Sequence, residues 1–175
     1  VPKAIAVMLS YEAERRTAVN AVQTACRLCA AVRAALAPDD TQTKQDRSPV
    51  TVADFGSQAV VGHVLAEAFP DVPLMAEESR ADLERANPSL RKKVVDHVLA
   101  LLPGVGEREV IEALDRSPSA AAGSERYWVL DPLDGTKGFL RNGQYAVALA
   151  LIIEGRAVVG VLGCPGRPLM TPPGV

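Results

Sequence analysis

The chain has 175 residues, 48% of them hydrophobic and 23% charged, which suits one ordinary globular domain and excludes disorder as the global state. Lys and Arg total 19 and Asp and Glu 21, for a net charge of −2, so the chain lacks the footprint for coating nucleic acid or an anionic membrane. Three cysteines make no secreted disulfide scaffold, and no apolar run reaches the roughly 18 residues of a membrane span. A soluble protein of a reducing intracellular compartment is expected, in the cytoplasm, or in the chloroplast or mitochondrion if a transit peptide precedes Val1. Val1 to Leu9 has no secretory signal.

In chain order, Val19, Val22, Cys26, Cys29 and Leu36 recur at helical spacing and predict one long amphipathic helix from Tyr11 to Leu36. Ser10 is placed to cap it, and Pro38-Asp39-Asp40 to stop it. Cys26 and Cys29 read as small residues on its buried face. Thr41 to Ser48 is polar, a loop or exposed strand, and Pro49 to Val52 a short β-prone run. A second helix is expected over Gly56 to Phe69, with Asp54 before it in a capping position, followed by a turn and a brief strand Leu74-Met75-Ala76. Arg80 to Asn87 reads as a charged surface excursion. A third helix follows over Ser89 to Leu102, capped by Ser89 or Asn87, and a fourth over Glu107 to Leu114. After a small-residue loop, Ser117 to Ser124, Tyr127 to Leu130 is a buried strand. Ala146 to Ile153 and Ala157 to Leu162, joined by Glu154-Gly155-Arg156, form a hairpin. Pro165 to Val175 reads as an irregular end.

Four acidic residues, Asp54, Glu77, Asp131 and Asp134, stand where apolar strands finish, which is where folds place function. Pro132 bends the chain after Asp131, so Asp131 and Asp134 are able to face one point to which Leu133 offers its carbonyl. Such hard oxygen donors suit Mg²⁺. Gly135 and Thr136 follow at once, and backbone amides at a turn or helix start face a phosphate oxygen well. Thr136 beside Asp54 would orient and deprotonate an attacking water. Each motif alone also has a plain structural reading. Asp-Pro-Leu-Asp-Gly makes a good turn, Glu77-Glu78 a solvated pair and Asp54 a helix cap. Only the conjunction strains that account.

The segments SPVTVAD (48–54), MAEES (75–79) and WVLDPLDGTKGFLR (128–141) resemble the successive signatures of the lithium-sensitive, Mg²⁺-dependent phosphomonoesterase superfamily that includes inositol monophosphatase. The continuation GQYAVALAL (143–151) is similar to its 3′(2′),5′-bisphosphate nucleotidases, and the likeness covers about residues 10 to 170. It implies an α+β fold of mixed layers, the N-terminal part of a sugar-phosphatase or inositol monophosphatase-like fold, with helices packed on a largely antiparallel sheet. It implies that Glu77 is a bridging metal ligand, that Asp131 and Asp134 are carboxylate ligands and Leu133 a carbonyl ligand of two or three Mg²⁺ ions. Asp54 and Thr136 then activate the water, the amides of Gly135 and Thr136 cradle the phosphate, and Glu78 stands behind the ligands.

The implied activity is removal of the 3′-phosphate of adenosine 3′,5′-bisphosphate, and of its sulfated analogue 3′-phosphoadenosine 5′-phosphosulfate, as part of sulfur metabolism. Neither nucleic acid nor membrane is a partner. Family members run longer and carry a later Trp-Asp pair whose Asp is a further ligand. This chain stops before it, so residues 1–170 are expected to hold the first part of a site and 171–175 an irregular end, without the family's C-terminal domain. Two alternatives stand beside this: an inositol phosphate phosphatase, and a catalytically incompetent metal- or nucleotide-binding module. Lys137 and Arg141 read as solvated, Phe139 and Tyr145 as packing residues, and the last two strands are expected to expose an apolar face.

Overall fold

The computed structural model describes residues 11–36, 40–43, 49–115 and 123–165. The long first helix, α1, runs Glu12–Ala34, with Glu12 and Glu14 in its first turn and Arg33 in its last, matching the helix dipole at both ends. Its buried stripe is Ala18, Ala21, Val22, Ala25, Leu28, Cys29 and Val32. The alanines let a second helix approach closely. Tyr11 holds the N-cap position without a side-chain bond, and Ser10, the expected cap, lies outside the described residues.

Two short antiparallel strands come next, β1 (Thr41–Thr43) and β2 (Pro49–Thr51), with Thr41 opposite Thr51. The second helix, α2, spans Val52–Ala68 and starts earlier than its apolar periodicity suggests, because Thr51, not Asp54, is the cap. Asp54 sits inside the first turn as the third residue of a capping box, the correction to its expected place. Every residue of α2 from Val52 to Gly62 is buried, so it is the central helix of the molecule and has no solvent stripe over that stretch. It packs on α1 on one side and on the sheet and two later helices on the others. Gly56 lies close to α1: a Cβ would stand 2.8 Å from Leu28 Cδ2, so that side chain would have to shift.

Beyond α2 lie β3 (Leu74–Ala76), α3 (Arg80–Arg85), α4 (Pro88–Leu101) and α5 (Glu107–Ala113). The charged segment expected to be a surface excursion is helical because Ser79 caps α3 through the Asp82 amide while Leu83 drives it into the core. Asn87 caps α4, with Pro88 at its first position. The sheet continues with β4 (Arg126–Asp134), the short helix α6 (Thr136–Leu140), β5 (Ala146–Ile153) and β6 (Arg156–Gly163).

The four-stranded sheet has the order β3-β4-β5-β6; β3 lies parallel to β4 and the other pairs are antiparallel. This is the expected α+β arrangement of helices on a largely antiparallel sheet. The β5–β6 turn is two residues, Glu154 (φ 50°) and Gly155 (φ 73°), and Arg156 pairs with Ile153 instead of lying in the turn. The helix-facing side of the sheet carries Trp128, Leu130, Val147, Leu149 and Leu151, all buried.

The opposite side carries Val129, Ala148, Ala150, Gly160 and Leu162, which line an open groove with Asp131. Leu162 is 64% exposed, in line with the apolar face expected of the last strands. Cys29 is buried and Cys26 half-buried, and burial pushes the Cys26 thiol up to about 11, as befits a packing residue. The expected irregular end at 171–175 and most of the loop at 117–124 lie outside the described residues.

Candidate active site

Three elements converge on one point: the start of α2, the end of β4 and the start of α6. At the start of α2, Asp54 is 3% exposed and its two carboxylate oxygens have different partners. Oδ2 accepts from the Thr51 amide and from Thr51 Oγ1, each at 2.7 Å. Oδ1 accepts from Thr136 Oγ1 at 3.2 Å. Thr51 Oγ1 in turn accepts from the Ala53 amide at 3.0 Å, so the carboxylate is oriented by backbone groups of its own helix turn.

The strand expected to end at Leu130 runs on to Asp134, with an irregularity between Asp131 and Asp134 where the pairing with β5 shifts register. Pro132 lies in that irregularity and needs no ladder donor there. Asp131 Oδ1 accepts from the Leu133 amide at 3.2 Å, a local turn of the kind Asp favours. The Leu133 side chain is buried, and its carbonyl lies 3.2 Å from Thr136 Oγ1, a second acceptor for the same hydroxyl. Gly135 bridges the two elements in the left-handed region, with φ 89° and ψ 39°. A side chain there would be strained and would crowd the Gln144 carbonyl.

Glu77 comes directly after β3. Because β3 and β4 are parallel with Ala76 opposite Leu130, Glu77, one residue past β3, stands next to Asp131, which still pairs with Ala148 inside β4. Glu77 and Asp134 are exposed and Asp131 is half-buried. The Glu77-Glu78 pair is not uniformly solvated. Glu78 is 3% exposed, and its backbone is held by Gln58 of α2, whose Oε1 accepts from the Glu78 amide at 2.8 Å. Gln58 Nε2 donates to the Glu78 carbonyl at 2.6 Å and to the Leu114 carbonyl at 3.3 Å.

The structure therefore joins Asp54, Leu133 and Thr136 by hydrogen bonds, and sets Glu77, just past the end of β3, next to Asp131 of β4. It does not draw Glu77, Asp131 and Asp134 into a closed cluster: among the described residues no three acidic, His or Cys side chains converge at metal-ligand spacing. The donors on offer are carboxylates and one backbone carbonyl with no thiol or imidazole, a set whose chemistry fits a hard cation such as Mg²⁺.

Lys137 and Arg141 are exposed, and Phe139 and Tyr145 are buried against each other edge to face with centroids 5.1 Å apart, as read from the sequence. Thr51 and Gln58 escaped the sequence reading. Both were visible as polar residues bounding or interrupting an apolar stretch, Gln58 four residues after Asp54 on the same helical face.

Comparison with known proteins extends over nearly the whole chain. The inositol monophosphatase family matches residues 10–171. The chain is 45% identical over 172 residues to 3′(2′),5′-bisphosphate nucleotidase 1 of Arabidopsis thaliana, covering 92% of this chain and 49% of that protein. It is 40% identical over 173 residues to a 3′(2′),5′-bisphosphate nucleotidase of Oryza sativa, covering 91% and 48%. Among solved structures, the extragenic suppressor protein suhB of Bartonella henselae superposes with a TM-score of 0.54 at 23% identity, over 90% of this chain and 43% of that one. That likeness concerns the fold. The chain spans about half the length of the curated relatives it matches.

Proposed function

The chain belongs to the inositol monophosphatase family, and from that membership we propose that it carries one side of the active site of a Mg²⁺-dependent phosphomonoesterase. The proposed reaction removes the 3′-phosphate of adenosine 3′,5′-bisphosphate to give AMP and phosphate, with 3′-phosphoadenosine 5′-phosphosulfate as a further substrate. The observation that carries the reading is the Thr136 hydroxyl held between the Asp54 carboxylate and the Leu133 carbonyl. The nucleotide substrate is supported by the names of the Arabidopsis and rice relatives.

In this reading Thr136 Oγ1 donates to Asp54 and keeps its lone pairs for an O–H of the attacking water. As the water attacks phosphorus and the P–O3′ bond breaks, the water's proton passes to Thr136 while the Thr136 proton passes to Asp54 Oδ1, and the departing 3′-oxygen takes a proton from solvent water; a relay of this kind contributes about 10²–10⁴-fold. Asp54 Oδ2 stays on Thr51 throughout, which keeps Oδ1 aimed at Thr136. The amides of Gly135 and Thr136 orient the phosphate. Glu77, Asp131, Asp134 and the Leu133 carbonyl would hold two or three Mg²⁺ ions. When bound, the metal supplies positive charge that stabilises the phosphoryl oxygens and the leaving alkoxide and eases deprotonation of water.

The test is phosphate release from adenosine 3′,5′-bisphosphate by the purified chain, with and without Mg²⁺, beside inositol monophosphate and an Asp134→Ala variant. Mg²⁺-dependent release that favours the nucleotide and is lost in Asp134→Ala is expected. Faster release from inositol monophosphate would reassign the substrate to the inositol phosphates, and no release from either would exclude turnover by this chain and reassign it to a catalytically incompetent metal- or nucleotide-binding module.

A further inference from the structure

A backbone segment that ends a three-residue strand has few ladder bonds to hold it, and Glu77 stands one residue past such a strand. The chain just beyond β3 is held from the side by Gln58, which is 1% exposed and whose amide is fully engaged. Its Oε1 takes the N–H of the Glu77–Glu78 peptide and its Nε2 gives to the Glu78 carbonyl, the donor–acceptor pattern of a neighbouring strand supplied by one side chain. The second Nε2 contact, to the Leu114 carbonyl, ties the same point to the end of α5.

Asp54 and Gln58 are four residues apart on α2 and share a helical face. One rigid, buried helix therefore sets the base at Asp54 and the backbone at Glu77. A carboxylate on a long exposed side chain reaches a shared ligand point only if its own Cα is fixed, and groups that orient ligands commonly matter about as much as the ligands themselves.

We propose that Gln58 is a positioning residue: it fixes the peptide on the C-terminal side of Glu77 and thereby sets the Glu77 carboxylate beside Asp131 for cation binding. The inference rests on the proposed metal role of Glu77, and its test separates the two. Gln58→Met keeps the volume and removes both polar partners; Gln58→Glu, the variant to use if Gln58→Met fails to fold, keeps an acceptor for the Glu78 amide but loses the donors to the two carbonyls. Val60→Ala, a buried truncation in the same helix away from these contacts, serves as a control for lost stability alone.

Two quantities are measured on the full chain: exchange of the Glu78 amide by NMR, and Mn²⁺ affinity by electron paramagnetic resonance. In folded Gln58→Met the Glu78 amide exchanges at least about tenfold faster than in wild type. Mn²⁺ binding weakens by about tenfold or more. Val60→Ala leaves both unchanged relative to the rest of α2. Unchanged Glu78 exchange, or unchanged Mn²⁺ affinity where the wild type binds, overturns the proposal. A wild-type chain that binds no Mn²⁺ overturns the metal reading and the carboxylate half of this proposal together, while faster Glu78 exchange in Gln58→Met than in wild type would still support the backbone clamp.

Discussion

Replacing Asp54 separates what the carboxylate does for the fold from what it does for the reaction. In Asp54→Ala the Thr51 amide and hydroxyl lose their shared acceptor in a place where Thr51 is fully buried. An unsatisfied buried donor costs about 1–3 kcal/mol. Loss of an acid in the first helical turn adds about 0.3–1 kcal/mol. With the amide alone left unsatisfied the sum is about 1–4 kcal/mol, a large part of the roughly 5–15 kcal/mol that stabilises a domain.

Asp54→Asn keeps an oxygen for the Thr51 amide and turns its NH₂ toward Thr136, whose hydroxyl still has the Leu133 carbonyl to donate to. Its expected cost is about 1 kcal/mol, the value of one ordinary hydrogen bond. Both variants lack the proposed base, so both are expected to lose about 10²–10⁴ of phosphate release. Urea unfolding followed by the fluorescence of Trp128, the single and fully buried tryptophan, measures the first quantity. Mg²⁺-dependent phosphate release measures the second. If Ala costs no more stability than Asn, the Oδ2 bonds do not hold the turn; if Asn retains activity within about a factor of ten, Asp54 is not the base.

Gly62→Ala on α2 sets helix propensity against packing: alanine gains up to about 1 kcal/mol in a helix interior, but its Cβ would stand 2.4 Å from the Ala113 carbonyl oxygen. Driving α2 and α5 apart costs about 1–3 kcal/mol, so the urea midpoint is expected to fall, and a raised midpoint would refute the close approach. Tyr145 Oη is buried with no protein partner among the described residues, and burial, reinforced by the nearby Cys29, pushes the phenol up to about 12. Because the folded chain holds this proton more tightly than the unfolded chain, the contribution is complete below the ordinary tyrosine value near pH 10 and is lost as pH rises toward 12. Tyr145→Phe is expected to be as stable as wild type or more so at pH 7 and to lose less stability between pH 10 and 12; equal losses in urea titrations at the two pH values would refute the burial argument.

Much of the architecture was legible because apolar periodicity and turn chemistry agree along the chain. Leu74–Ala76 and the β5–β6 hairpin fall where alternation and Glu154-Gly155 put them. What was not legible has more than one cause. Asp54 looks like a cap because an acid before an apolar run usually is one. Thr51, three residues earlier, outcompetes it because its hydroxyl reaches the Ala53 amide while Asp54 returns to the Thr51 amide. Arg80 to Arg85 looks like loop because its charges dominate, although Ser79 and Leu83 suffice to make a helical turn. The β4 strand outlasts its apolar tetrapeptide because an irregularity absorbs Pro132, which composition alone reads as a stop. In the candidate site, the acids and Thr136 announce themselves by type and spacing. Gln58 does not, since its bonds span 20 and 56 residues of sequence.

The division of labour at Asp54 bears on how such a site is assembled. One oxygen is committed to Thr51 and the other to Thr136, so the carboxylate reaches its working orientation during folding, and its rotamer entropy is already spent when a substrate arrives. Asp134 is exposed, and its side chain would give up rotamer freedom on ligating a cation. The proposed metal thus organises the Asp134 carboxylate, in a site whose backbone β3, the β4 irregularity and Gln58 hold in place. The proposed water-activating pair, Asp54 and Thr136, needs no such help. A variant at Glu77 or Gln58 should therefore be recoverable by raising the Mg²⁺ concentration, whereas one at Asp54 should not, because its loss lies in a proton acceptor that no cation replaces.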